Sequence, residues 1–150
     1  MATFQDPGGA HFGIWQPMEH AGFSAVEEPG APSWFELHTK AFKDSLVFYE
    51  EVFGWDTEVQ GDTDDFRYSL VTTPGVLVGM MDSTMYAQEG EPNHWDIYFE
   101  VEDVAASLAT AKSMGGSTIL GPDETPYGVL AMATDPTGVV YKLRTPPAEG

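Results

Sequence analysis

The 150-residue sequence contains no cysteine, and it has only six Lys and Arg against 24 Asp and Glu. The first absence excludes disulfide scaffolds, Cys-ligated zinc and thiol nucleophiles. The second leaves a formal net charge of −18. A chain this acidic repels phosphate backbones, so nucleic acid is not an expected partner. Long apolar runs are missing too. None approaches the roughly 18 residues that a membrane-spanning helix needs, so no membrane partner is expected. The N-terminus shows no basic segment followed by an apolar one, which argues against a secretory signal and for a cytoplasmic protein. There is no Gly-x-Ser-x-Gly nucleophile elbow, no phosphate-binding glycine loop and no dinucleotide fingerprint.

What is present supports a packed core. The chain is 42% hydrophobic, with four Trp, six Tyr and nine Phe, too many aromatics for a disordered acidic tail. The length suggests one domain. The acids are spread along the chain rather than gathered in a block, as expected of a solvated surface.

Residues 1–22 read as a lone strand and its surroundings: Ala10 to Trp15 alternates, with Phe12 and Ile14 on one face and Gly8-Gly9 and Pro17 as stops. Residues 23–32, with Glu28-Pro29-Gly30, read as a linker. From Ser33 the pattern tightens. Trp34 to His38 alternates as a strand, and Phe42, Leu46, Tyr49 and Phe53 follow at helical spacing with Gly54 as the stop. Strands are expected at about 55–60, 66–73 and 76–81. The order then repeats. Asn93 to Val101 is a strand, Asp103 can cap a helix carrying Val104, Leu108 and Ala111, and Gly115-Gly116 ends it. Strands follow at about 117–121, 127–134 and 139–144.

Two internal repeats emerge. At a shift of 62, Phe35 lands on Ile97, Leu46 on Leu108 and Gly54 on Gly116. This gives a strand–helix–strand–strand–strand unit twice, in halves of about 33–81 and 93–144. At a shift of 129, Asp6-Pro7-x-Gly9 lands on Asp135-Pro136-x-Gly138. Residues 1–22 therefore resemble the end of a preceding module, an orphan strand that must pair with another chain or dock on its own module.

The doubled βαβββ pattern, the string Phe48-Tyr49-x-x-x-Phe53-Gly54-Trp55 and the closing Asp135-Pro136-x-Gly138 resemble the vicinal oxygen chelate superfamily, which includes glyoxalase I, bleomycin-resistance proteins and extradiol dioxygenases. The resemblance covers residues 33–146 and implies a module at 33–147. It is nearest the second module of tandem two-module actinobacterial proteins labelled glyoxalase-like or hydroxylase. It implies an α+β fold in which paired βαβββ motifs form a cup-shaped mixed sheet, with ligands bound in the cup. The open edge of the orphan strand leads us to expect a homodimer through the N-terminal strand or the module edge.

The resemblance also implies where a metal would sit: one inward position on the first and fourth strand of each half, here Trp34, Gly79, Asp96 and Lys142. Only Asp96 is a metal-ligand type. The expectation is a protein without the family metal or any other cofactor, which binds a small organic molecule. Alternation places Trp34, Glu36 and His38 on one face, His94, Asp96, Tyr98 and Glu100 on another, and Val140, Lys142 and Arg144 on a third. Three uses of these faces stay open. Lys142 and Asp96 form a structural ion pair. Or Trp34, Tyr98, Met80 and Met132 wall a pocket in which Glu36, His38, Asp96, Lys142 and Arg144 meet a ligand. Or Glu36, His38, His94 and Asp96 hold a displaced divalent ion and support an enzyme of lyase or oxygenase type. Without a metal, Glu36, His94, Asp96 and Lys142 are the candidates for acid–base catalysis.

Overall fold

The structure is a computed structural model that describes residues 1–147. The chain divides into two compact units. One comprises Met1–Gly22 and Phe35–Asp96; the other comprises Phe23–Trp34 and the chain from Ile97 onward. Among the described residues no helix is long and apolar enough to cross a membrane.

The first unit begins with a hairpin, β1 (Ala2–Gln5) against β2 (His11–Ile14). The lone strand expected from alternation thus has a partner on its N-terminal side. The unit continues with the inner part of β3 (Pro32–Thr39), α1 (Phe42–Phe53), β4 (Thr57–Asp62), β5 (Arg67–Val71), β6 (Val78–Asp82) and the first residues of β7 (His94–Glu100). β3 pairs parallel with β6, and β6, β5 and β4 follow antiparallel. The parallel pair needs a crossover, and α1 lies within it. Gly54 closes α1 in the left-handed conformation at φ 65°, its N–H donating to the Glu50 carbonyl as the sequence predicts. Leu37 and Met80 are fully buried and form a core with Phe42, Tyr49, Val71 and Val78.

The N-terminal hairpin docks on its own unit. Ala10 is fully buried in this core. Phe12 meets the rings of Phe48, Tyr49 and Phe53 edge-on at 5.7–5.9 Å. Buried Asp6 accepts from the Tyr49 hydroxyl at 3.3 Å.

The second unit carries the rest of β7, then α2 (Val104–Ser113), β8 (Ser117–Thr125), β9 (Gly128–Thr134) and β10 (Val140–Arg144). β7 and β10 are parallel, while β10, β9 and β8 are antiparallel. The βαβββ order therefore occurs twice, as the sequence predicts. Asp103 caps α2 by accepting from the Ala106 N–H at 2.9 Å. Val104, Leu108, Ala131, Ala133 and Leu143 make the second core. The expected linker 23–32 joins the sheet earlier than its composition suggests: Gly30 N–H donates to the Glu100 carbonyl and Glu100 N–H to Ala31.

The 129-residue repeat is structural as well as sequential. β1 and β2 pair Ala2 with Ile14 and Gln5 with His11. β9 and β10 pair Ala131 with Leu143 and Thr134 with Val140, the same register moved by 129 residues. The turns match too. Asp6 Oδ1 accepts from the N–H of Gly8 and Ala10, and Asp135 Oδ1 from the N–H of Thr137 and Val139, at 2.7–3.0 Å. Gly9 and Gly138 sit at φ 90° and 92°, a conformation that costs glycine least.

Candidate functional site

The chemistry-bearing residues of the first unit come from the last residues of β3 and the first of β7. Alternation puts Glu36 and His38 on one side of β3 and fully buried Leu37 on the other. The same rule puts His94 and Asp96 together on β7. These four side chains converge. His38 Nε2 lies 2.9 Å from Glu36 Oε1 and 3.3 Å from Asp96 Oδ2. His94 Nε2 lies 3.6 Å from Asp96 Oδ1. The two imidazoles stack with centroids 5.2 Å apart and planes 7° from parallel. One donor atom each from His38, His94 and Asp96 falls within a 4.8 Å set.

Burial shapes the electrostatics. Glu36, His38 and Asp96 are 6–8% exposed, while the His94 side chain keeps 37% of its surface. Two carboxylates directed at one imidazole nitrogen need positive charge between them, because like charges in a low-dielectric site repel strongly. A metal ion held among them would supply it. The His94 imidazolium is held above its ordinary range, first by its hydrogen bond to Asp96 against the opposing effect of burial, and then by the Pro92 carbonyl and Glu91.

Two tyrosines complete the surroundings. Tyr68 on β5 donates its hydroxyl to Glu36 Oε2 at 3.0 Å. The Tyr86 hydroxyl lies 2.5 Å from His38 Nδ1, and its ring meets the His38 ring edge-on. Tyr86 belongs to the segment 83–93, which is pinned to the end of β3. Ser83 N–H donates to Thr39, and Lys40 Nζ donates to the Glu91 carbonyl. The Asn93 side chain accepts from Lys40 N–H and donates to the Gly8 carbonyl, so it ties the strand bearing His38 to the strand bearing His94 and to the hairpin.

The sequence marks Glu36, His38, His94 and Asp96 as one set, and the structure brings them together. It does not mark Tyr68 or Tyr86 as site residues. Tyr68 sits in an expected strand, and Tyr86 ends the Met-rich string 80–86. No signal beyond that alternation and composition points to them. Met80 is core. Gly79 pairs with Glu36 across β3 and β6 and offers no side chain. The remaining predicted residues, Trp34, Tyr98, Lys142 and Arg144, belong to the second unit. There Lys142, 6% exposed, donates to the Tyr98 hydroxyl at 3.1 Å and lies 4.8 Å from that ring's centroid. Trp34 is half-buried, and Arg144 keeps its Nε buried.

Comparison with known proteins adds to this geometry. The family model described as Glyoxalase/Bleomycin resistance protein/Dioxygenase superfamily matches residues 31–143. The chain is 34% identical over 148 residues to CFP32 of Mycobacterium tuberculosis, which is named as a glyoxylase, covering 97% of this chain and 56% of the relative. It is 31% identical over 146 residues to the anthracycline biosynthesis protein DnrV of Streptomyces peucetius, covering 95% and 51%. The chain thus spans about half the length of the curated relatives it matches. Among solved structures, methylmalonyl-CoA epimerase of Mycobacterium tuberculosis has a TM-score of 0.56 at 15% identity, covering 77% of this chain and 87% of that one. At that identity the likeness concerns the fold alone.

Proposed function

Because the chain belongs to the glyoxalase/bleomycin resistance protein/dioxygenase superfamily, we propose that it is an enzyme acting on a small carbonyl compound with a divalent metal ion. The ion would be held by Asp96, which keeps a usual family position, and by two histidines displaced from the others. Carried over, those positions are Trp34, Gly79, Asp96 and Lys142. They do not fit an ion: Gly79 has no side chain, Trp34 offers no lone pair and Lys142 brings positive charge. The neighbouring set does fit. Imidazole and carboxylate donors suit first-row divalent ions, and two His with one carboxylate leave positions open for substrate.

The observation that carries this reading is the convergence of one donor atom each from His38, His94 and Asp96 within 4.8 Å of one another. Charge points the same way. The first unit holds fifteen acidic and three basic residues, a field that gathers cations. Such an ion supplies Lewis acidity to a substrate oxygen.

The chain's own residues divide the remaining work. His38, His94 and Asp96 would hold the ion. Glu36 moves the proton: its Oε1 faces the cluster, and its Oε2 is steadied by the Tyr68 hydroxyl. Low exposure of Glu36, His38 and Asp96 excludes water from the reacting centre, while half-exposed His94 faces the approach from solvent. The relatives' names, a glyoxylase and a protein of anthracycline biosynthesis, favour carbonyl-bearing substrates.

The test is metal content. Protein purified without chelator is soaked in nickel, manganese, iron or zinc, desalted and measured for metal per chain. A ratio near one, abolished by His94→Ala and by Asp96→Ala, is expected. A ratio near zero for all four ions refutes the reading.

A further inference from the structure

We propose that β10 carries a binding site for a small organic carboxylate, anchored by Arg144 with Lys142 beside it. The site uses none of the residues assigned to the metal ion, so it stands or falls apart from that reading.

The chain has only six basic residues. Lys40, Lys43 and Lys112 are exposed, and Arg67 is paired with Asp62, Asp64 and Asp82. The other two lie two residues apart on β10. Leu143 between them belongs to the core that Val104 and Leu108 of α2 help to form, so alternation turns Lys142 and Arg144 to the opposite face of the sheet. Lys142 is 6% exposed there, and Arg144 is half-buried. Two like charges about 7 Å apart on a covered face repel one another, and an anion beside both removes that cost.

Arg144 supplies the directional contact. Its Nε is buried and has no hydrogen-bond partner among the described residues. Glu100 is buried and stands opposite Arg144 in register, yet it gives that nitrogen no acceptor. A buried guanidinium N–H without an acceptor is costly. Nε and the neighbouring Nη form an edge of the guanidinium that a carboxylate meets with two parallel hydrogen bonds. Lys142 adds charge at a fixed place. Its Nζ donates one of three protons to the Tyr98 hydroxyl at 3.1 Å and lies 4.8 Å from that ring's centroid, so the ammonium is held while its field reaches an anion at Arg144.

The neighbours select the kind of anion. On β9, Met132 pairs with Lys142 and Leu130 with Arg144, so both share this face, and both are half-buried. They form an apolar wall beside the two cations. An inorganic ion leaves such a wall unused, whereas the body of an organic acid covers it. The second unit carries nine acidic residues against three basic ones, a balance that disfavours a multiply charged anion.

The experiment is a nitrogen–proton NMR titration of the full chain, kept in chelator, with benzoate, its neutral isostere benzamide, and inorganic phosphate. The chelator removes metal from the outcome. We expect benzoate to saturate below about 10 mM, reasonable for a ligand of nine heavy atoms, with the largest shifts at the amides of β9 and β10. Benzamide and phosphate should each bind at least about tenfold more weakly. Arg144→Gln should weaken benzoate about ten- to a hundredfold. Arg144→Lys, which keeps the charge and loses the fork, should recover only part of that loss, and it decides the matter if Arg144→Gln fails to fold. The inference falls if benzoate does not saturate or shifts other strands instead, if benzamide or phosphate binds as well as benzoate, or if Arg144→Lys binds benzoate as wild type does.

Discussion

Asp96→Asn tests the centre of the site with little change of shape. Asp96 is 8% exposed and spans both imidazoles, with Oδ2 at 3.3 Å from His38 and Oδ1 at 3.6 Å from His94. The amide keeps the packing and removes the charge that a divalent ion needs. An ion at a hundred times its dissociation constant stabilises the wild type by about 2.7 kcal/mol. In a chain of this length that raises Tm by about 5–11 °C. If losing the carboxylate weakens binding a hundredfold, the same ion concentration stabilises the variant by only about 0.4 kcal/mol, or about 1–2 °C. The assay is thermal unfolding with and without ion. A variant that gains as much as wild type would refute the assignment of Asp96 as a ligand. The metal-free variant carries a second signature. Asp96 is the main cause of the raised His94 value. In wild type His94 therefore contributes stability that is complete below the ordinary imidazole range and is lost as pH rises through the raised value. In Asp96→Asn that window shrinks, and an NMR titration should show His94 moving down toward its ordinary range.

The other predictions concern the hairpin and its repeat. Phe12→Ala removes a ring that meets Phe4, Phe48, Tyr49 and Phe53, each within 6 Å, and should cost about 2–4 kcal/mol in denaturant unfolding; a loss under about 1 kcal/mol would mean the hairpin contributes little. The Asp135 carboxyl is held below its usual range, first by the Thr137 hydroxyl and then by the Val139 N–H. Its contribution to stability is present above the ordinary carboxylate range and fades as pH falls through the lowered value, so Asp135→Ala should flatten part of the acid-side loss in unfolding curves. Unchanged acid sensitivity would contradict this.

Much of the fold was legible because its signals are local. The helical spacing from Phe42 to Phe53, the Gly54 stop and the Asp103 cap each lie within a few residues of what they specify. The site was legible in part for the same reason. Alternation assigns Glu36 with His38, and His94 with Asp96, to shared faces. It does not assign the level at which two strands meet, because cross-strand register depends on distant pairings such as Phe35 with Val78. The absence of a ligand at Gly79 is thus readable in the sequence, while the convergence of His38 on Asp96 rests on that register. β1 escaped notice because Ala2–Gln5 is short and exposed and shows no buried face. Tyr86 escaped because it lies in a turn, where no periodicity exists to assign its direction.

The repeated Asp-Pro-x-Gly turn has a kinetic consequence. In both hairpins the carboxylate, the proline and the left-handed glycine fix the register within five residues, and the strands they join pair at separations of six to fourteen residues. Closing such short loops takes microseconds or less, whereas β3 must wait for a partner 43 residues away. The two ends of the chain therefore hold ready-made seeds with their registers already set. The slower search that sets β3 beside β6 and β7, and so brings His38 to His94 and Asp96, proceeds against surfaces that are already formed.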